Sequence, residues 1–222
     1  MDQNVILVET VPLEFDLESL GCRLRIRPGQ TKFMDRLSRL AEEAVRVARP
    51  KAVARLCGLT ILDEENVQVG EVTFSSPLLR QKMDGLERAF PYLASEGTEL
   101  ADWSLSLSSS LEQVFASALR EVAVQQAEKL LERTLLERYG IAQVSAMNPG
   151  SLKVWSLEEQ VPLFELLAPL PEKLGVTLLP SLMMRPEYSV SGVFFQTDSK
   201  FYNCQLCPKK ECPNRKVPSL VT

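Results

Sequence analysis

SSLEQVFASALREVAVQQAEKLLERTLLERYG, residues 109–140, is the stretch whose reading decides the fold. Leu111, Val114, Phe115, Ala118, Leu119, Val122, Leu130 and Leu131 keep much of the helical period. Ser109 and Glu112 have the spacing of a capping box, and Gly140 stands where a left-handed residue ends a helix. The pattern predicts one helix from Ser109 to Arg138. At about 1.5 Å per residue it is roughly 40 Å long, enough to cross the body of a small domain as its core spine.

On the N-terminal side, Val5 to Val8 reads as a strand, and from Thr31 the pattern turns helical. Phe33, Leu37, Leu40, Ala41, Ala44, Val45 and Ala48 share one face of that helix until Pro50 stops it. Val67 and Val69 alternate, and Val72 and Phe74 resume out of phase across Gly70, which predicts a strand carrying a bulge. Ser75, Ser76 and Pro77 open a short helix through Met83, and Ala89 to Ala94 reads as a strand entering a tight turn at Ser95-Glu96-Gly97.

On the C-terminal side a short strand, Ala142 to Ala146, leads into the turn Asn148-Pro149-Gly150. Ser156 and Glu159 form a second capping-box pair, starting a helix with Leu163, Phe164 and Leu167 inward. Pro162 lies inside it and removes a main-chain donor, so a kink or a later true start is expected. Val176 to Leu179 and Ser189 to Phe195 are strands, with Met183, Met184 and Pro186 between them. Without regular βαβ alternation or a Gly-rich first turn, the chain is expected to be α+β. That means a largely antiparallel twisted sheet flanked by helices, one of them long and central. The one plausible boundary separates a domain, 1–197, from a tail, 198–222.

Composition limits the chemistry. With 45% hydrophobic and 24% charged residues in 222, the chain can bury a sizeable core. A net charge of -4 gives no general reason to bind nucleic acid. Asp2 precedes the first apolar stretch, no basic segment comes before it, and no apolar run approaches the roughly 20 residues that cross a bilayer. A cytoplasmic protein without membrane or nucleic-acid partners is expected. Histidine is absent, which excludes His-based triads and imidazole acid/base chemistry.

The Glu96-Gly97 turn, the long helix, Asn148-Pro149-Gly150 and Trp155-Ser156-x-x-Glu159-Gln160 occur in an order shared with one known family. So do Gly175-Val176-Thr177-Leu178, Met183-Met184-x-Pro186 and Ser189-Val190-Ser191-Gly192. The chain resembles the activation (reactivation) domain of cobalamin-dependent methionine synthase in its stand-alone form, most specifically from Asn148 to Gly192. The resemblance implies that fold, and a role in which the domain binds S-adenosylmethionine and closes on a corrinoid-binding protein or domain so that cobalt is reduced and remethylated. It implies ligand-side positions at Glu96, Gly97, Asn148, Pro149, Gly150, Met184, Ser189 and Ser191. Taken singly, each has a plainer role: Pro149 and Gly150 make a turn, Met183 and Met184 fill core gaps, and Ser189 and Ser191 face solvent. The sequence also departs from the family. The arginine expected three residues before Pro149 is Ala146, the tyrosine after Gly150 is Ser151, and Tyr188 stands in place of a lysine. A guanidinium is the natural bidentate partner of a carboxylate, so weak or absent S-adenosylmethionine binding is expected.

Cys204, Cys207 and Cys212 lie within one tail segment, while Cys22 and Cys57 are isolated. A Cys-x-x-Cys step followed by a third Cys suits an iron–sulfur cluster or zinc, and in a reducing compartment such a cluster reads as metal or redox chemistry before disulfides. Lys209, Lys210, Arg215 and Lys216 surround it with positive charge. Three functions follow. The first is an accessory or reactivation protein for a corrinoid methyl-transfer system, linked to reductive activation of cobalt. The others are an S-adenosylmethionine-binding enzyme and a metal-stabilised adaptor without catalytic activity.

Overall fold

The computed structural model describes residues 3–212 and 215–220. Its first half runs β1 (Val5–Val8), α1 (Leu17–Arg23), α2 (Thr31–Val47), β2 (Lys51–Arg55), β3 (Cys57–Ile61), β4 (Asn66–Val69), β5 (Val72–Ser75) and α3 (Pro77–Lys82). Next come β6 (Arg88–Ser95), α4 (Thr98–Ser106), α5 (Ser110–Tyr139) and β7 (Val144–Met147). The last elements are α6 (Gln160–Leu167), α7 (Leu170–Lys173), β8 (Thr177–Leu178), β9 (Met184–Arg185) and β10 (Ser189–Gln196).

Residues 89–95 of β6 are all buried, the mark of a strand covered on both faces, and this strand organises an eight-stranded sheet. On one edge it pairs first with β2 and then, after Leu56, with β3; on the other edge it pairs with β10, which in turn pairs with β7. β1 extends the sheet beyond β2, and β4 and β5 continue from β3. Every strand pairing is antiparallel. The chain is thus α+β with a large antiparallel sheet and one long helix.

Three packed cores follow from the side-chain alternation. Leu93, Val193, Phe195 and Met147 on one sheet face meet α6, Trp155 and the β4–β5 hairpin. Phe90, Tyr92, Ala94 and Phe194 on the opposite face meet Val124, Ala127, Leu131 and Leu135 of α5. The first half of α5 packs instead on α2 and α4, through Phe115, Ala118, Leu119 and Ala123 against Leu37, Leu40, Ala44 and Leu100. The spine helix therefore serves two cores, and Gly140 ends it with φ 61°.

Some expectations change. Gly70 is no bulge: Val69 pairs with Val72, so Gly70 and Glu71 are a two-residue hairpin turn, with Gly70 at φ 60° in the place such turns give to glycine. No capping box forms at Ser109: its side chain makes no capping bond, and the Glu112 carboxylate, which would complete the box, is drawn across to Arg36 and Arg39 of α2 at 3.2 and 2.7 Å. Ser156 likewise does not cap; a 3-10 turn, Leu157–Glu159, precedes α6, which puts Pro162 in its first turn where a donor is not missed. Phe33 and Val45 of α2 lie exposed. Strands β2 and β3 and helix α4 occupy segments for which the sequence pattern predicted no element.

Candidate functional site

Strand β10 is locally permissive at Gly192. A Cβ there would lie 2.4 Å from the Met147 carbonyl oxygen, 2.6 Å from Asn148 Nδ2 and 2.9 Å from Tyr92 Cε1. The bare backbone lets Asn148, at the end of β7, reach across. Its amide donates to the Tyr92 hydroxyl and to the Ser191 carbonyl, both at 2.8 Å, and its oxygen accepts from the Asn203 amide at 3.1 Å. The Tyr92 hydroxyl donates in turn to Glu128 of α5 at 2.6 Å. Burial, then the Glu128 charge, push the Tyr92 hydroxyl well above its ordinary pKa, so it remains a donor. The Tyr92 ring stacks on Phe194 with centroids 3.9 Å apart.

This network is one wall of a cavity of about 880 Å³. Val144, Ala146, Asn148 and Phe194 form its sheet side; Gln125, Glu128, Lys129 and Glu132 of α5 face them. Asp16, Leu20 and Arg23 close it from α1 and the segment before it, and Lys200, Tyr202, Asn203, Cys204 and Lys216 close it from the tail. Lys200 is ion-paired with Glu132, and Arg23 with Glu121. The cavity thus combines an aromatic floor, an amide pair and mixed charge, suited to a small polar ligand with one flat apolar part.

A second polar cluster lies further along the same helix. Arg120 grips Glu96 with two bonds of 2.6 and 2.7 Å, and the Tyr188 N–H adds a third to Glu96 at 3.2 Å. The Tyr188 ring covers the guanidinium at 4.6 Å. Burial raises the Glu96 carboxyl above its usual value, against the lowering pull of Arg120. The Arg120 pKa moves up despite burial because of Glu96, and the bidentate geometry makes a charged pair the state we assign.

Of the ligand-side positions predicted from sequence, Asn148 lines the cavity. Glu96 is fully buried in its ion pair, and Gly97, at φ 88°, starts α4 against the Arg49 carbonyl. Pro149 is buried, while Gly150 is exposed and held by Trp155, whose carbonyl accepts its N–H at 2.9 Å. Met184 packs on the first core. Ser189 bonds Ser95 at 3.0 Å and the Pro186 carbonyl at 2.8 Å, and Ser191 is 3% exposed. Ser191 is therefore inside the sheet, and Ser189 is half-buried and hydrogen-bonded, rather than both facing solvent. Ala146, the position of the missing arginine, does line the cavity. Tyr92, Glu128 and Phe194 were not predicted as site residues. Glu128 alone left a trace: a carboxylate next to Ala127 and one turn before Leu131 and Glu132, on the flank of a buried stripe.

The cysteine tail folds onto the body. Phe201 is buried in the first core and its N–H donates to Ser145 Oγ at 2.7 Å. Cys204 borders the cavity and Cys207 packs on the first core. Among the described residues, no group of three or more His, Cys, Asp or Glu is placed to hold a metal ion. The iron–sulfur cluster or zinc that the spacing of Cys204, Cys207 and Cys212 suggested is therefore unsupported by the arrangement of these residues.

The fold and cavity together define an α+β domain whose antiparallel sheet and spine helix wall a polar pocket. No family model matches the sequence, and no curated protein does. Among 13 matching chains of solved structures is a crystal structure of the MetH reactivation domain bound to AdoHcy. It matches with a TM-score of 0.61 at 17% identity, over 89% of this chain and 80% of that one. The chain has the fold of that domain, as its motif order implied. Among the described residues no helix is long and apolar enough to cross a membrane.

Proposed function

We propose that the chain is an accessory protein of a cobalamin-dependent methyl-transfer system, docking on a corrinoid-binding partner as a reactivation component. The observation that carries this reading is the fold agreement with the MetH reactivation domain over most of both chains, joined to a cavity that opens beside Ala146 and Asn148. Fold likeness alone is an analogy, so the cavity is what ties it to chemistry. That neighbour binds AdoHcy. In this chain the same class of ligand, an adenosyl amino acid, would lay its base beside the half-buried Tyr202 ring and meet the Asn203 side chain. Its carboxylate finds no arginine at position 146. The cavity's own cations are Arg23, whose guanidinium is already ion-paired with Glu121, and Lys129, Lys200 and Lys216, which offer a point charge rather than a fork. We therefore propose weak binding of S-adenosylmethionine and its product.

The exposed loops at Gly150 and Met183 are the proposed docking edge. Leu157 packs over Gly150, and Gln160 of α6 donates to the Leu182 carbonyl at 3.1 Å, so both loops adjoin the start of α6. The test is co-purification of the whole chain with a corrinoid-loaded domain whose cobalt is either oxidised or methylated. Retention that changes with cobalt state supports the reading. Equal absence of retention in both states, with the chain folded by circular dichroism, removes it.

A further inference from the structure

We propose that Cys204 and Cys207 form a redox-active dithiol, closing to an intramolecular disulfide at the wall of the cavity. Cys204 lies in a 3-10 turn, Asn203–Leu206, and Cys207 is the residue that terminates it, donating its N–H to the Cys204 carbonyl at 3.4 Å. A 3-10 turn rises about 2 Å per residue, which puts Cα atoms three residues apart about 6 Å from each other. That lies inside the roughly 4.4–6.8 Å window for a disulfide. The sequence spacing suggested a metal site; this turn suits the same two sulfurs to bonding with each other.

The turn is anchored at both ends. Asn203 is tied to Asn148, and the returning chain crosses over it: Arg215 donates to the Cys204 carbonyl at 3.2 Å, Ser219 to the Cys207 carbonyl at 3.0 Å, and the Leu220 N–H to the Gln205 carbonyl at 2.8 Å. The Lys216 N–H donates to Cys204 Sγ at 3.5 Å, so the sulfur state is coupled to the strand that closes the cavity. With a small-molecule disulfide as oxidant the exchange balances. The Cys204 sulfur attacks one sulfur of the oxidant and releases the first thiol. The Cys207 sulfur then displaces the second, so two protein thiols lose two protons and two electrons and the oxidant becomes two thiols. This inference does not rest on the corrinoid reading.

The test uses the full chain, reduced, then equilibrated with oxidised glutathione, quenched by alkylation and mapped by peptide mass spectrometry. Exposed Cys22 reports that the oxidant reached the protein. The expected result is a Cys204–Cys207 link that dithiothreitol reverses, that survives in Cys212→Ser and that is lost in Cys204→Ser. Amide exchange at residues 215–220 should quicken in the oxidised form as the Lys216 contact weakens. Free thiols at 204 and 207 in a sample whose Cys22 is modified would overturn the proposal. So would a link from either one to Cys212, or a stoichiometric metal ion held by the three cysteines after anaerobic purification.

Discussion

Arg120 and Glu96 are both almost fully withdrawn from water, and what their pair contributes depends on which half is removed. Deleting one partner of a buried pair strands the other, which costs about 3–5 kcal/mol, so Arg120→Met should lower the urea midpoint by a corresponding amount. The pH response has a definite sign. Without the guanidinium, burial and the nearby Glu187 charge are opposed only by the Tyr188 N–H, so the Glu96 carboxyl is lifted further. A carboxyl whose folded pKa is raised holds its proton more tightly in the native state, so stability falls as pH rises from its ordinary value through the raised one. The Arg120→Met protein should therefore be more stable at about pH 5 than at about pH 7; the opposite order would show that Glu96 has found another cation. Gly192 makes a separate demand, since a methyl group there collides with backbone and with Asn148. Gly192→Ala should cost about 1–3 kcal/mol by the usual scale of overpacking, and should break the Asn148–Tyr92 contact. A thermal melt and the near-ultraviolet tyrosine signal check both parts; an unchanged variant would mean that β7 and β10 separate easily.

Elements differ in how they are capped, and this separates two serines that look alike in sequence. Ser76 accepts the Leu79 N–H at 3.2 Å and donates to the Val154 carbonyl at 2.7 Å, while Ser109 makes no side-chain bond at the head of α5. Replacing Ser76 with Ala should cost about 1 kcal/mol, and the same change at Ser109 should stay within about 0.5 kcal/mol, both read from denaturant midpoints. Equal losses would show that the Ser109 side chain caps α5 in solution. The spine helix was legible in sequence because 30 residues of period outweigh any local ambiguity. Its cap was not, because a glutamate can serve its own helix or a neighbouring arginine, and sequence spacing does not distinguish them. Lys51–Arg55 stayed invisible for a different reason: Ala52, Val53 and Ala54 are all buried, so the strand shows no alternation, and alanine carries little strand preference.

At the scale of the whole molecule, the order of motifs from Asn148 to Gly192 pointed to the fold, and the match to the MetH reactivation domain agrees with it. The candidate site was less legible. Asn148 could be named from its turn, but its partners Tyr92 and Asn203 come from 56 and 55 residues away in sequence, Glu128 joins only through Tyr92, and only packing brings them together. Glu96 and Ser191 pointed instead to buried polar positions that support the sheet. The measurement that tests the central claim most directly is a titration of the whole chain into a corrinoid-loaded domain, followed by the cobalamin absorbance spectrum. Reactivation requires release, so the account predicts a saturable spectral change with a dissociation constant on the order of micromolar, differing between oxidised and methylated cobalt. A spectrum unchanged at every cobalt state, with no complex formed by folded protein, would contradict it.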